Sequence, residues 1–221
     1  MNGRLNMNRL DHVVIAAPDL AQAKLEFEKL TGVVPADGGP HVGLGTRNAL
    51  VSFGADCYLE IIAPDPEQSL DGTFGARLAQ LQTLTLLHWA IRTQHLTEVA
   101  ARATEIGLAP GPVRRTARAA PDGTRLEWEL MGIGGHQLGG LVPFYIDWLD
   151  CDHPASTAPM VGGLETFELT LPVGHAALGL FEPSPTDVGI ASGVERGLVL
   201  RFDSPRGSAS FTDSSPSGFA F

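Results

Sequence analysis

Leu10-Asp11-His12-Val13-Val14-Ile15-Ala16-Ala17-Pro18-Asp19-Leu20 decides the reading of this chain. Leu10 to Ala16 is short, apolar and rich in β-branched residues, which is the pattern of a buried strand. Pro18 stops it. Asp19 is a good helix N-cap, with Gln22 three residues later as in a capping box. Leu20, Ala23, Phe27 and Leu30 then recur at helical spacing, and Gly32 supplies the stop. Turn residues follow at Asp37-Gly38-Gly39-Pro40, Gly43, Gly45 and Gly54-Ala55-Asp56. Short β-like runs lie between them at His41 to Leu44, Ala49 to Phe53 and Cys57 to Ala63. The order is therefore β-α-β-β-β.

Beyond the connector Pro64 to Gly75 and a short helix expected at Ala76 to Gln82, the pattern returns. Leu86 to Arg92 reads as a strand. Leu96, Val99, Ala100, Ala103 and Ile106 mark a helix that Gly107 ends. Val113 to Ala119 and Thr124 to Met131 flank the hairpin signal Pro121-Asp122-Gly123. Leu141 to Leu149 closes the unit. His12, Ile15 and Leu20 recur as His88, Ile91 and Leu96 at identical spacing. Such self-similarity indicates an internal duplication. The expected fold class is α+β: two βαβββ modules, 8–64 and 84–155, within one domain, 8–155. A C-terminal βαβ-like extension is expected over 159–203, from a strand at Leu164 to Leu171, a short helix at His175 to Phe181 and a strand at Leu198 to Phe202. A partly disordered tail is expected over 204–221.

Composition narrows the function. The chain has 221 residues, 15 basic against 25 acidic, and a formal charge of −10. That balance argues against nucleic acid as a partner, because phosphate binding needs a basic face. No run approaches the roughly 18 apolar residues of a membrane span, and Met1 to Leu10 lacks the apolar core of a signal peptide. A cytoplasmic protein with no membrane partner is expected. Two cysteines, Cys57 and Cys151, are too few for a disulfide framework or a cysteine zinc site. No nucleophile elbow or phosphate loop is legible.

Strand alternation singles out the polar residues. If Val13 and Ile15 face the helix, His12 faces the concave side. His88 takes the equivalent place in the second copy. Glu60 shares a face with Tyr58 and Ile62 in Tyr58-Leu59-Glu60-Ile61-Ile62, where a carboxylate needs a partner. In Leu141 to Leu149, Phe144, Ile146 and Trp148 share one face, and Tyr145 and Asp147 the other. Each module thus offers one imidazole on its first strand and one carboxylate on its last: His12 with Glu60, and His88 with Asp147. Such a set meeting in one cup suits a divalent metal with open positions. His41 is a rim candidate. Thr46 and Asn48 follow at a glycine turn, where bonds to their own backbone are the simpler reading. Arg114, Arg115, Arg118 and Arg125 face Glu127 and Glu129. Cross-strand salt pairs are expected there, with an anion-binding lip as the alternative.

These residues resemble the vicinal oxygen chelate superfamily. Leu10 to Ile15, the Pro-Asp helix start, Tyr58 to Ile62 and the paired modules carry the likeness. His41 to Asn48, Leu87 to Thr93, Pro143 to Trp148 and Asp152-His153-Pro154 resemble its glyoxalase-like domain group. The resemblance implies that the two modules form a curved mixed sheet around a cup, and that a divalent ion (Zn, Ni, Mn or Fe) is held by His12, Glu60, His88 and Asp147. It implies a lyase or isomerase acting on a small oxygenated metabolite, with Glu60 or Asp147 moving the proton. Asp147 is one methylene shorter than the Glu of glyoxalase I. Two further readings remain: a metal-free small-molecule binding protein of the bleomycin-resistance type, with Tyr58, Tyr145 and Arg92 lining the pocket, and an extradiol-type dioxygenase requiring Fe(II). A homodimer through sheet edges is compatible with all three.

Overall fold

The computed structural model describes residues 8–119, 123–182, 184–185 and 187–213. The tip of the Pro121-Asp122-Gly123 hairpin and the stretch 214–221 lie outside them. Module one runs β1 (Arg9–Ala16), α1 (Leu20–Thr31), β2 (Ala36–His41), β3 (Thr46–Ser52) and β4 (Tyr58–Pro64). A short α2 (Phe74–Leu78) follows, earlier than expected. Module two runs β5 (Thr85–Arg92), α3 (Leu96–Glu105), β6 (Ala109–Pro110), β7 (Arg114–Ala119), β8 (Arg125–Met131), β9 (Ile133–Gly134) and β10 (Phe144–Asp147). β6 and β9 form a small pair of their own.

The main sheet has eight strands in the order β2-β3-β4-β1-β5-β10-β8-β7. The two halves mirror each other, since each first strand lies parallel to the last strand of its module. β1 and β5 join the halves as an antiparallel pair. The sheet curls until its edges nearly meet, and Arg118 on β7 donates from its guanidinium to the Gly38 carbonyl on β2.

The β1/β5 seam carries two irregularities, between Leu10 and His12 and between Val14 and Ile15. At the first, Asp11 has no opposite residue on β5. A bulge of this kind adds a residue to one strand and re-aims its side chain. Asp11 is turned toward the same side as His12, and the site depends on that.

The expected helix start is present: Asp19 Oδ1 accepts from Gln22 N at 2.7 Å, and Gly32 ends α1 with φ 82°. Leu20, Ala23 and Phe27 are buried, but Leu30 faces solvent and Thr31 takes the inner position. On the convex face, Val13, Ile15, Leu59, Ile61, Trp89 and Tyr145 join the helices in one core. Val14, Leu50, Tyr58, Trp128, Phe144 and Ile146 form a second cluster inside the cup.

The C-terminal segment builds a second sheet, ordered β12-β11-β13-β14, from β11 (Leu164–Pro172), β12 (Gly189–Gly193), β13 (Gly197–Phe202) and β14 (Ala209–Asp213). The expected short helix is a 3-10 turn over Ala176–Phe181, and β12 adds a strand to the expected elements. β14 lies within the stretch expected as a partly disordered tail. Ala209 and Phe211 alternate with polar residues, Ala209 is buried, and Phe211 stacks on Phe202 at 6.3 Å. This sheet covers the convex face: Trp89, fully buried, stacks on Phe181 at 5.8 Å and meets Phe167 edge-on at 5.3 Å. Among the described residues no helix is long and apolar enough to cross a membrane.

Trp89→Ala empties the joint between the two sheets. It should cost about 3–5 kcal/mol of stability in denaturant unfolding. A loss below about 1 kcal/mol would mean that the second sheet is not fastened there.

Candidate active site

The cup holds a cavity of about 110 Å³. Its polar lining comes from His12 on β1, His41 on β2, Asn48 on β3, Tyr58 and Glu60 on β4, and Thr116 and Arg118 on β7. Trp128, Phe144 and Trp148 supply much of the apolar wall. The structure thus brings together His12, Glu60, His41, Asn48 and Tyr58.

His12 is held on every side. Its Nδ1 lies 2.6 Å from Asp11 Oδ1. Tyr58 stacks on the ring at 4.5 Å, and Phe144 meets it edge-on at 5.3 Å. Asp11 is completely buried, and its second oxygen accepts from Trp148 Nε1 at 3.0 Å and lies 3.0 Å from His153 Nε2. The backbone N–H of Ala155 donates to His153 Nδ1, so the proton of that imidazole sits on Nε2 and points at Asp11. Burial alone would raise the Asp11 pKa, but the hydrogen bonds from His12 and His153 outweigh it and hold the carboxyl well below its usual range. An ionised Asp11 accepts but cannot donate. It therefore fixes the His12 proton on Nδ1 and leaves Nε2 toward the cavity. There Nε2 lies 3.6 Å from Glu60 Oε2.

Glu60 is positioned from the other side. Asn48 Nδ2 donates to Glu60 Oε1 at 2.6 Å, and the same amide nitrogen lies 3.2 Å from His41 Nε2. Two acceptors around one amide nitrogen fix which way the Asn48 amide points. His41 Nδ1 meets Thr46 Oγ1 at 3.0 Å. Burial pushes the His41 pKa down, so this imidazole accepts from Asn48 as a neutral ring. Gly38 makes room for the arrangement, since a Cβ there would sit 2.1 Å from Asn48 Oδ1.

Four expected residues, Asp147, Tyr145, Arg92 and His88, lie outside the cavity lining. Asp147 shares the face of the core residue Tyr145, and its Oδ1 accepts from Leu149 N at 2.9 Å. That bond steadies Leu149 at φ 54°, a strained conformation for a leucine. Tyr145 is 1% exposed in the convex core. Arg92 pairs with Asp56 at 3.2 Å, near Arg9. On β10, Phe144 and Ile146, with Trp148 just beyond the strand, line the cup.

The register explains the misplaced fourth carboxylate. Glu60 lies opposite Val14, two residues after His12. Phe144 lies opposite Ala90, two residues after His88. The module-two counterpart of Glu60 is therefore Phe144. Its ring stands 5.3 Å from the ring of His12 and 5.2 Å from that of His88. His88 Nδ1 is 3.1 Å from the Trp89 carbonyl. Among the described residues, no group of three or more His, Cys, Asp or Glu is placed to hold a metal ion. The donor set His12, Glu60, His88 and Asp147 does not fit one.

Asp11 and Arg118 complete the site, although strand alternation assigns neither. The bulge breaks the alternation at Asp11. Arg118 is buried, unlike Arg115 and Arg125, which pair with Glu127 as expected.

Residues 10–178 match the family model described as a glyoxalase-like domain. The chain belongs to this family, within the vicinal oxygen chelate fold. No curated protein matches it. This glyoxalase-like protein is similar in structure to a hypothetical protein from Staphylococcus aureus, at TM-score 0.61 and 14% identity, covering 93% of this chain and 85% of that one. It is also similar to methylmalonyl-CoA epimerase from Mycobacterium tuberculosis, at TM-score 0.48 and 20% identity, covering 67% of this chain and 93% of that one. A Streptomyces coelicolor methylmalonyl-CoA epimerase variant in complex with 2-nitronate-propionyl-CoA gives TM-score 0.45 and 20% identity, covering 67% and 99%. At 14% identity the likeness to the Staphylococcus aureus protein speaks for the fold alone.

Burial pushes the His88 pKa down to about 3. Between pH 3 and the unfolded value near 6.5, the unfolded chain binds the proton that the folded chain refuses. Stability should therefore fall as pH drops through that window, with His88 contributing up to about 1.4 kcal/mol per pH unit. Unfolding of His88→Leu, followed across the same range, should show a shallower slope. An unchanged slope would mean that His88 is charged in the folded protein.

Proposed function

We propose that this glyoxalase-like protein is an isomerase or lyase that moves a proton on a small oxygenated metabolite, with His12 and Glu60 as the acid–base pair. One observation carries the reading. An imidazole nitrogen whose tautomer is set by a buried carboxylate faces a second carboxylate at 3.6 Å inside a mostly apolar cup. A group that takes a proton and a neighbour that returns it are what general acid–base catalysis requires.

The spacing favours neighbouring atoms on one face of the substrate. One group removes the proton from carbon, and the bonding pair moves toward the adjacent carbonyl to give an enolate. That proton passes across the 3.6 Å gap to the other group, which delivers it to the enolate oxygen. In the lyase variant the pair expels a leaving group from the next carbon, and the second group protonates it. Asn48 holds Glu60 by one oxygen and leaves the other toward His12. The aromatic walls exclude water from the reacting atoms. The proton transfer uses His12 and Glu60 alone, since among the described residues no group of three or more His, Cys, Asp or Glu is placed to hold a metal ion. A second reading, a small-molecule binding protein, draws on the same walls: Trp128 and Trp148 lie 5.4 Å apart at the cavity.

Small 2-hydroxy aldehydes, ketones and 2-oxo acids incubated with enzyme in D2O test the proposal. A substrate should lose its α-proton signal in NMR. Glu60→Gln and His12→Asn should each slow the exchange at least about 100-fold. Dialysis against chelator should leave it unchanged. Full exchange by Glu60→Gln would remove the carboxylate from the mechanism. Loss on chelation, restored by one divalent ion, would return the chemistry to a metal. No exchange with any compound would favour the binding protein.

A further inference from the structure

Arg118 is 8% exposed, and it lines the same cavity as His12 and Glu60. Its one hydrogen bond within the described residues runs to the Gly38 carbonyl. No carboxylate of the described residues pairs with it, whereas Arg115 and Arg125 on the same hairpin both pair with Glu127. A buried guanidinium without a counter-anion is costly. Its fork presents five N–H donors in the geometry that matches a carboxylate. The Glu60 charge acts on Arg118 across the cavity without bonding it, and Asn48, His12 and His41 already surround Glu60.

We propose that Arg118 is the specificity-determining residue of the cup and selects a small monocarboxylate whose apolar body lies against Trp128, Trp148 and Phe144. The inference rests on the reading of the cup as the substrate site. Cavity size sets the scale of the ligand, about 110 Å³. Charge sets its valence. One guanidinium offsets one negative charge, and the Glu60 carboxylate in the same space repels a second. A phosphate dianion is therefore disfavoured. The placement also leaves the acid–base pair free, because the carboxylate of the ligand is held from β7 while His12 and Glu60 approach from β1 and β4.

Trp128 and Trp148 report the binding directly through tryptophan fluorescence. Benzoate and benzamide have nearly the same shape and differ in charge. Wild-type protein should bind benzoate at least about tenfold more tightly than benzamide, the factor expected for a charge-assisted hydrogen bond. Arg118→Gln, which keeps a donor for the Gly38 carbonyl, should bind the two equally. Arg118→Lys should retain part of the preference, and it covers the case in which the Gln variant fails to fold. Inorganic phosphate should not compete at concentrations where benzoate saturates. Equal affinity in the wild type, no binding of either probe, a preference unchanged in Arg118→Gln, or competition by phosphate would each overturn the proposal. Glu60→Gln separates the two readings. It should keep the benzoate preference whether or not it loses proton exchange, so failure of the acid–base reading leaves this result standing.

Discussion

The bond of 2.6 Å between the Asp11 carboxylate and the His12 imidazole is the constraint on which the site is built. It exists because β1 bulges against β5 and turns two successive side chains toward one another. A buried carboxylate needs donors on both oxygens. Asp11 finds them in His12, in the Trp148 indole and in His153. Those partners come from β1, the chain just beyond β10, and the turn that follows it. One carboxylate thus ties the seam between the modules to the rim of the cup. The same bonds that offset the cost of its burial also orient the imidazole.

Duplication supplied a symmetric scaffold that the chemistry then used unequally. Both modules place a histidine on the first strand, and both face it inward. Module one adds Glu60, Asn48 and His41, which give the cavity its polar end. Module two puts Phe144 where Glu60 would recur, and lines its half with Trp128, Leu130 and Ile146. His88 is left beside an aromatic ring, neutral by burial. The second sheet stands apart from this division. It covers the convex face around Trp89 and lets β5 be buried on both sides.

The two βαβββ modules are legible in the sequence through β-branched runs, helix caps and repeated spacings. His12, Tyr58 and Glu60 follow from period-two alternation, which holds where a strand is regular. Sequence and structure part where that rule has no purchase. β10 is apolar on both faces, so its pattern does not say which one enters the cup, and Asp147 reads as a ligand although it faces away. Asp11 sits at a bulge, where alternation fails. Arg118 lies among arginines with carboxylates opposite, and only the closure of β7 onto β2 buries it while its neighbours stay exposed. β14 is masked by the serine and glycine around it, because two apolar positions are a weak strand signal until β13 offers an edge.

The tautomer of His12 tests the central claim most directly. Nitrogen-15 NMR of the imidazoles at alkaline pH, where they are neutral, distinguishes a protonated from a bare ring nitrogen. The account predicts that His12 carries its proton on Nδ1, hydrogen-bonded to Asp11, with Nε2 bare toward Glu60. It also predicts that Asp11→Asn disturbs this signal while leaving that of His88 in place. A His12 found with its proton on Nε2 in the wild-type protein would contradict it.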